Sequence, residues 1–364
     1  MKILSIFGTR PEAIKLAPVL AALNQRQVTS RVCVTAQHRQ MLDQVLALFR
    51  IHPAYDLAIM QPGQSLAALT ARALTKLDEV LRAEQPDWVL VQGDTTTVMV
   101  AALAAFYHRI KVGHIEAGLR SFDKYQPFPE EINRKIATSV SDLHFAPTEL
   151  SKQNLLREGV PEASIVVTGN TVIDALLQVA DQSYDWDASP LAAIPRDKRI
   201  ILVTAHRREN FGAPLANICA ALRTIAERFA DVHIVYPVHL NPNVQTVVHE
   251  TLGGIANISL LDPLDYLPLV QLLKHSYLVV TDSGGIQEEA PGLGKPVLVL
   301  REVTERPEGV AAGTVKLVGT NQATIMRAIE LLLMDKAEYN RMARAVNPYG
   351  DGHASERIVT KLLA

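Results

Sequence analysis

Short apolar runs alternate along this chain with longer segments whose apolar residues recur at three- and four-residue spacing, the pattern of buried parallel strands joined by amphipathic helices. In the first half the predicted strands are Ile3–Phe7, Arg31–Thr35, Trp88–Gln92, Lys111–Ile115, His144–Ala146 and Ile165–Val167. Helical spacing covers Pro11–Leu23, Met41–Leu48, Leu66–Glu84, Thr97–Tyr107, Glu130–Val140, Leu150–Glu158 and Val172–Ala180 between and after them. A second series of strands follows at Ile200–Thr204, Val232–Pro237, Ile258–Leu261, Tyr277–Thr281, Val297–Leu300 and Val315–Val318. The expectation is an α/β protein of two doubly wound, Rossmann-like domains facing across a cleft, with the strand carboxyl ends and hence the ligand between them. The boundary falls after residue 170, giving domains 1–170 and 171–364, with the last helix packing back on the N-terminal domain. The polar run 181–198, which contains Pro190 and Pro195, reads as the connecting stretch.

Composition narrows the class. At 364 residues the chain exceeds one ordinary hydrophobic core, and 48% hydrophobic with 20% charged residues suits a globular enzyme. No segment approaches the ~20 apolar residues of a membrane span, and Met1 leads directly into a strand, so a cytoplasmic location is expected. A net charge of -2 without a basic block gives no reason to expect nucleic acid or an anionic membrane as partner. The two cysteines, Cys33 and Cys219, fall in different predicted domains and read as small buried hydrophobes without a disulfide.

The predicted strand ends carry the polar chemistry. After the first strand comes Gly8-Thr9-Arg10-Pro11-Glu12, where Pro11 suits a first helical turn and Arg10 and Lys15 are cations beside the expected cleft. No GxGxxG fingerprint occurs there, which speaks against a bound nicotinamide. Asp94 follows the Trp88–Gln92 strand and Glu116 ends the next, so both carboxylates are placed for acid and base work. The alternative is a helix-capping Asp94 and a Glu116 paired to Arg120. Glu130, at a predicted helix start, reads by position as structural. In the second half His206 precedes Arg207 and Arg208 at a strand end, whereas His239 carries no decided role. Neither a His-x-x-x-His pair nor a cysteine cluster occurs, so no metal site is expected.

Residues 281–290, Thr-Asp-Ser-Gly-Gly-Ile-Gln-Glu-Glu-Ala, combine an anion cradle with two carboxylates at a strand-to-helix junction. Ser283, Gly284 and Gly285 permit close approach to backbone amides, and the helix predicted to open near Ile286 directs its positive end at the ligand. Glu289, one turn on, is in reach of a ribose hydroxyl. Arg301 and Arg306 further along favour an anionic ligand.

Taken together, Gly8–Glu12, Thr35–Arg39, Gly93–Thr95, His114–Arg120, Pro129–Glu131, His206–Glu209, residues 281–290 and Asn347–Gly352 resemble the non-hydrolysing UDP-N-acetylglucosamine 2-epimerases of bacteria nearly end to end. That resemblance implies a glycosyltransferase-B-like fold and cofactor-free interconversion of UDP-N-acetylglucosamine and UDP-N-acetylmannosamine for cell-surface polysaccharide synthesis. A homodimer is expected with it. It also implies that Asp94, Glu116, Glu130 and His206 are catalytic, against the positional reading of Glu130. Arg10, Lys15, Ser283, Gly284, Gly285, Glu289 and Arg306 would surround the UDP-sugar. In some members a second UDP-N-acetylglucosamine activates the enzyme, and Gln37, His38, Gln40 and Arg207 match residues used there. Gly63 stands where some of those members carry an arginine.

The chemistry fits the residues independently. The C2 hydrogen of the sugar is not next to a carbonyl, so a carboxylate removes it only as the C1–O bond to UDP breaks, giving a glycal. A hydrolysing epimerase, a UDP-sugar-dependent glycosyltransferase and a non-catalytic UDP-sugar sensor are the competing readings. The sensor leaves Asp94 and Glu116 unexplained.

Overall fold

Thirteen strands form two wholly parallel sheets in the computed structural model, which describes residues 1–35, 39–61 and 63–364, with side chains for all of these but 39 and 40. The chain divides into unit 1, Met1–Ala175 with Tyr349–Ala364, and unit 2, Leu176–Pro348.

Unit 1 contains β1 (Lys2–Phe7), α1 (Arg10–Gln25), β2 (Thr29–Val34), α2 (Arg39–Leu48), β3 (Tyr55–Asp56), α3 (Leu66–Glu84), β4 (Trp88–Gln92) and α4 (Thr96–Tyr107). It continues through β5 (Lys111–Ile115), α5 (Glu130–Val140), β6 (Leu143–Ala146), α6 (Glu149–Arg157), β7 (Ile165–Val167) and into α7 (Thr171–Ala180). Its strand order is β3-β2-β1-β4-β5-β6-β7. Connections run outward from β1 in one direction and from β4 in the other, so the topological switch point lies between β1 and β4.

Unit 2 repeats the plan with β8 (Arg199–Thr204), α8 (Ala213–Arg228), β9 (Val232–Pro237), α9 (Pro242–Leu252), β10 (Ile258–Leu261), α10 (Tyr266–His275) and β11 (Ser276–Thr281). Then come α11 (Gly284–Gly292), β12 (Val297–Val299), α12 (Pro307–Ala312), β13 (Val315–Leu317), α13 (Gln322–Met334) and α14 (Lys336–Ala343). The order β10-β9-β8-β11-β12-β13 puts its switch point between β8 and β11.

Burial explains why the strands read as continuous apolar runs. In β8, Ile201 and Val203 join one core cluster while Ile200 and Leu202 join the cluster on the opposite face, and β11 divides in the same way. Helices start where side-chain acceptors meet orphan amides. Ser65 accepts from Ala68 N at 3.1 Å, Thr148 from Ser151 N at 3.2 Å, and Thr9 with Glu12 forms a reciprocal capping box at α1. Both cysteines are buried and unpaired, with burial pushing each thiol up to about 12.

Three details differ from the expectations. The two-residue edge strand β3 is too short to leave a periodic signature. The run 181–198 is no solvated linker, because Trp186, Leu191 and Ile194 are buried in a core cluster of unit 2, and the passage between units lies within α7. Its apolar residues obey no regular period and so escaped the pattern. Helix α11 begins at Gly284 rather than near Ile286.

The last helix, α15 (Ala354–Leu363), belongs to unit 1 and packs on α1. Buried Asp174 holds its start by accepting from Ser355 N at 2.7 Å, Ser355 Oγ at 2.6 Å and Ala354 N at 3.2 Å. Among the described residues no helix is long and apolar enough to cross a membrane.

Candidate active site

At the unit 1 switch point the chain places two carboxylates on strand ends and surrounds them with donors. Glu116 follows β5 directly and is buried, and its Oε2 accepts from Lys15 Nζ and, at 3.0 Å, from Asn170 Nδ2. The amide of Asn170 is itself oriented, since its Oδ1 accepts from Val172 N at 3.1 Å. Glu116 has φ +65°, a left-handed conformation that costs a non-glycine residue on the order of 1–3 kcal/mol. Packing around the turn enforces it. Ala117 N donates to Phe145 O at 3.1 Å, and a Cβ on Gly118 would come within 2.3 Å of Ser151 O, so only glycine fits there at its φ of +91°. Arg120 makes a bidentate contact with Glu158, at 2.8 and 2.6 Å, so the alternative in which it neutralises Glu116 is not what the fold builds.

Asp94 begins the β4–α4 turn. Thr95, not Asp94, caps α4, and the Asp94 carboxylate accepts from Arg134 at 2.5 Å. Arg134 also reaches Glu131 at 3.3 Å, and Asn133 Nδ2 donates to Asp94 O at 2.9 Å, so the first turns of α5 are tied to the β4 end. His114 Nε2 donates to Gly93 O at 2.8 Å from a fully buried position, and burial pushes the imidazole down to about 4, which keeps it neutral. Buried Glu12 accepts from Gly8 N at 2.9 Å, Thr9 N at 2.7 Å and Thr95 Oγ1 at 2.5 Å, joining the β1–α1 turn to the β4–α4 turn. Its burial holds that carboxyl above the ordinary range despite these bonds.

Adjacent glutamates at the start of α5 have different surroundings. Glu131 is fully buried and accepts from Ser121 N at 3.0 Å and Phe122 N at 3.3 Å, a structural role. Glu130 Oε2 is buried and has no hydrogen-bond partner among the described residues. A carboxylate oxygen left unsatisfied in this way is what a reacting group, rather than a brace, would present. Arg10 opens α1 at the end of β1, half-buried.

Unit 2 builds the opposite chemistry at its switch point. Helix α11 closes its first bond from Gln287 N to Ser283 O, so the amides of Gly284, Gly285 and Ile286 have no partner inside the helix. The Ser283 side chain makes no cap bond. Neither Gly284 nor Gly285 has a positive φ, and a Cβ on either would meet nothing closer than 3.8 Å. Neither conformation nor packing therefore demands glycine here, and the bare backbone suits an anion resting on the amides.

Arginines converge beside this helix end. Arg207 donates from Nε to Asp282 O at 2.9 Å and contacts Glu305 at 3.3 Å, while Arg301 pairs with Glu209 at 2.6 Å and Glu305 at 3.2 Å. Burial pushes the Glu305 carboxyl up, but Arg207 and Arg301 outweigh it and hold it below its ordinary value. Arg306 pairs with buried Glu288, and Glu289 accepts from Tyr266 Oη at 2.8 Å. His206 stacks on His239 with ring centroids 5.5 Å apart; its side chain keeps 41% of its surface exposed, and partial desolvation pushes its imidazole down.

The structure thus brings together Lys15, Asp94, Glu116 and the start of α5 within unit 1, and His206, Arg207, Ser283, Gly284 and Gly285 within unit 2. Of the expected activator residues, Gln37, His38 and the side chain of Gln40 lie outside the described residues, leaving Arg207. Four participants were missed from sequence. Arg134 lies one helical turn from Glu130 and Glu131, a spacing that could have flagged it. Asn170, Glu12 and Asp282 gave no separate signal, since each reads equally well as a turn or cap residue.

Comparisons with known proteins bear on the chain as a whole. A family model described as UDP-N-acetylglucosamine 2-epimerase matches residues 21–363. The chain is 58% identical to the UDP-N-acetylglucosamine 2-epimerase of Yersinia pestis, covering 100% of this chain and 98% of that protein. Identity to the Escherichia coli (strain K12) protein of the same name is also 58%, with the same coverage. The crystal structure of UDP-GlcNAc 2-epimerase from Neisseria meningitidis bound to UDP-GlcNAc superposes with a TM-score of 0.89 at 50% identity, covering 100% of both chains. By fold and full-length similarity, the chain belongs to the UDP-N-acetylglucosamine 2-epimerase family.

Proposed function

We propose that the protein interconverts UDP-N-acetylglucosamine and UDP-N-acetylmannosamine by eliminating UDP and adding it back. The observation that carries this reading is the set of carboxylates at the strand ends of unit 1: Asp94 and Glu116 after adjacent strands, with a Glu130 oxygen at the start of α5 that is buried and has no hydrogen-bond partner among the described residues. In the forward direction one carboxylate accepts the C2 proton while the C1–O bond breaks and its electron pair leaves with the diphosphate, giving 2-acetamidoglucal and UDP. A carboxylic acid on the other face then returns a proton to C2 as the diphosphate oxygen bonds to C1 again. No carbon changes its net oxidation state between substrate and product, so no external oxidant is needed.

Other residues serve the charges that develop. Lys15 and Asn170 orient Glu116, and Arg134 orients Asp94. The α11 amides with Ser283, Gly284 and Gly285 hold the diphosphate, Arg306 and Arg10 add positive charge, and Glu289 takes a ribose hydroxyl. His206 faces the leaving group. The Neisseria meningitidis relative, which carries UDP-GlcNAc, supports the same ligand class here. A cytoplasmic homodimer supplying cell-surface polysaccharide synthesis completes the reading, with Arg207 in a second, activating nucleotide-sugar site.

The test is product analysis. Purified protein incubated with UDP-N-acetylglucosamine should build up UDP-N-acetylmannosamine while total UDP-sugar stays constant by phosphorus NMR. Stoichiometric release of free N-acetylmannosamine and UDP would replace this reading with hydrolysis, and unchanged substrate would remove it.

A further inference from the structure

We infer that Asp282 is a positioning residue that holds the His206 imidazole with Nδ1 turned inward, leaving Nε2 on the opposite edge of the ring for the bound nucleotide. The inference rests on the reading of His206 as a residue of the site and adds the group that aims it. Asp282 directly follows β11 and has no exposed surface. Its Oδ2 accepts three hydrogen bonds, from His206 N at 2.9 Å, Arg207 N at 2.8 Å and Asn210 Nδ2 at 2.9 Å, which fix the turn after β8. Its Oδ1 is buried, has no hydrogen-bond partner among the described residues, and lies 3.5 Å from His206 Nδ1. A buried carboxylate oxygen is costly to leave unsatisfied, and the imidazole is the donor in reach.

The surroundings limit the ring to this task. His239, after β9, stacks on it with an interplanar angle of 15°, restricting rotation. The charged and titratable groups facing His206 are Asp282 from the end of β11, His239 from the turn after β9 and Arg207 beside it in the chain. Partial desolvation, His239 and Arg207 favour the neutral ring, and Asp282 opposes them. In the neutral ring the proton therefore belongs on Nδ1, facing Asp282, and Nε2 accepts. When a diphosphate arrives the ring can take a second proton and donate from Nε2, with Asp282 balancing the new charge.

Selective 15N-histidine labelling and long-range 1H–15N NMR of the full chain test this, with the His206 signals among the 11 histidines assigned by their loss in His206→Asn. The wild type should show Nδ1–H in the neutral ring, and in Asp282→Asn the titration midpoint of His206 should fall by about one pH unit, the scale of a lost neighbouring charge. Turnover of Asp282→Asn should fall about tenfold, less than the ~100-fold or more expected for losing the acid or base itself because the imidazole is still present, with KM for the UDP-sugar nearly unchanged. A wild-type Nε2–H tautomer, or a His206 midpoint unmoved in folded Asp282→Asn, overturns the inference. Should Asp282→Asn not fold, the wild-type tautomer decides alone. Full turnover by His206→Asn would instead sink the assignment of His206 to the site, a separate failure that leaves the tautomer measurement intact.

Discussion

The two switch points share a topology and differ in the sign of the charge they present. In unit 1 the strand ends deliver carboxylates, and cations from neighbouring helices hold them: Lys15 on α1 for Glu116 and Arg134 on α5 for Asp94. In unit 2 the strand end delivers backbone amides at the start of α11, and the cations beside them are held by carboxylates: Arg207 and Arg301 by Glu305, and Arg306 by Glu288. One architecture thus presents cation-held carboxylates at one switch point and helix-start amides flanked by carboxylate-held arginines at the other. The difference lies in the few residues after β4, β5, β8 and β11, which the rest of each sheet only positions.

The sharpest way to break this comparison is to neutralise the unit 1 carboxylates. Glu116→Gln and Asp94→Asn should each lower turnover by at least ~100-fold while the fold survives, as for loss of a positioned acid or base. Near-normal rates in either folded variant would strip that residue of its role. The neighbouring glutamates of α5 sharpen the contrast between chemistry and bracing. Glu131→Ala should destabilise the protein by about 2 kcal/mol in urea unfolding, because it removes a fully buried acceptor of the Ser121 and Phe122 amides and leaves Arg134 with Asp94 as its one remaining carboxylate partner among the described residues. Glu130→Gln should instead reduce turnover at unchanged stability, and it should release traces of UDP and 2-acetamidoglucal during long incubations. Reversed behaviour of the pair would exchange their roles.

In unit 2 the expected effects are smaller and fall on affinity. Glu289→Ala and Arg306→Ala should each weaken UDP binding about tenfold by calorimetry, the scale of one charge-assisted hydrogen bond. Lost turnover with unchanged UDP affinity would contradict both assignments. The smallest effect separates a glycine kept for the ligand from one kept for the fold. Gly285→Ala has room for its Cβ and exchanges a poor helix former for a good one, so stability should hold or rise by up to about 1 kcal/mol while UDP binding weakens. Gly118→Ala, with Ser151 O in the way, should lose stability.

How much of this was visible in the sequence follows from what each signal depends on. Strands such as Trp88–Gln92 and Val232–Pro237 declare themselves because parallel strands are buried on both faces, and their bounds agree with the structure. The carboxylates after β4 and β5 were legible because strand ends follow once strands are placed. Partners were not, since pairing is set by distant elements: Lys15 is 101 residues from Glu116, and Asn170 is 54 residues from it. The left-handed backbone of Glu116 was equally hidden, for nothing local demands it and the packing of Ala117 and Gly118 imposes it. By position Glu130 read as structural, and the resemblance alone reversed that. Its buried oxygen, without a hydrogen-bond partner among the described residues, contrasts with the fully bonded Glu131, a difference no sequence pattern carries.

The central claim, that carboxylates in unit 1 exchange the C2 proton while UDP departs and returns, is met most directly by running the reaction to equilibrium in deuterated water and reading C2 by proton NMR. The account predicts UDP-N-acetylmannosamine carrying deuterium at C2, with deuterium appearing at the same carbon of the remaining UDP-N-acetylglucosamine as the reaction reverses. Fully epimerised product that keeps its original C2 hydrogen would contradict it.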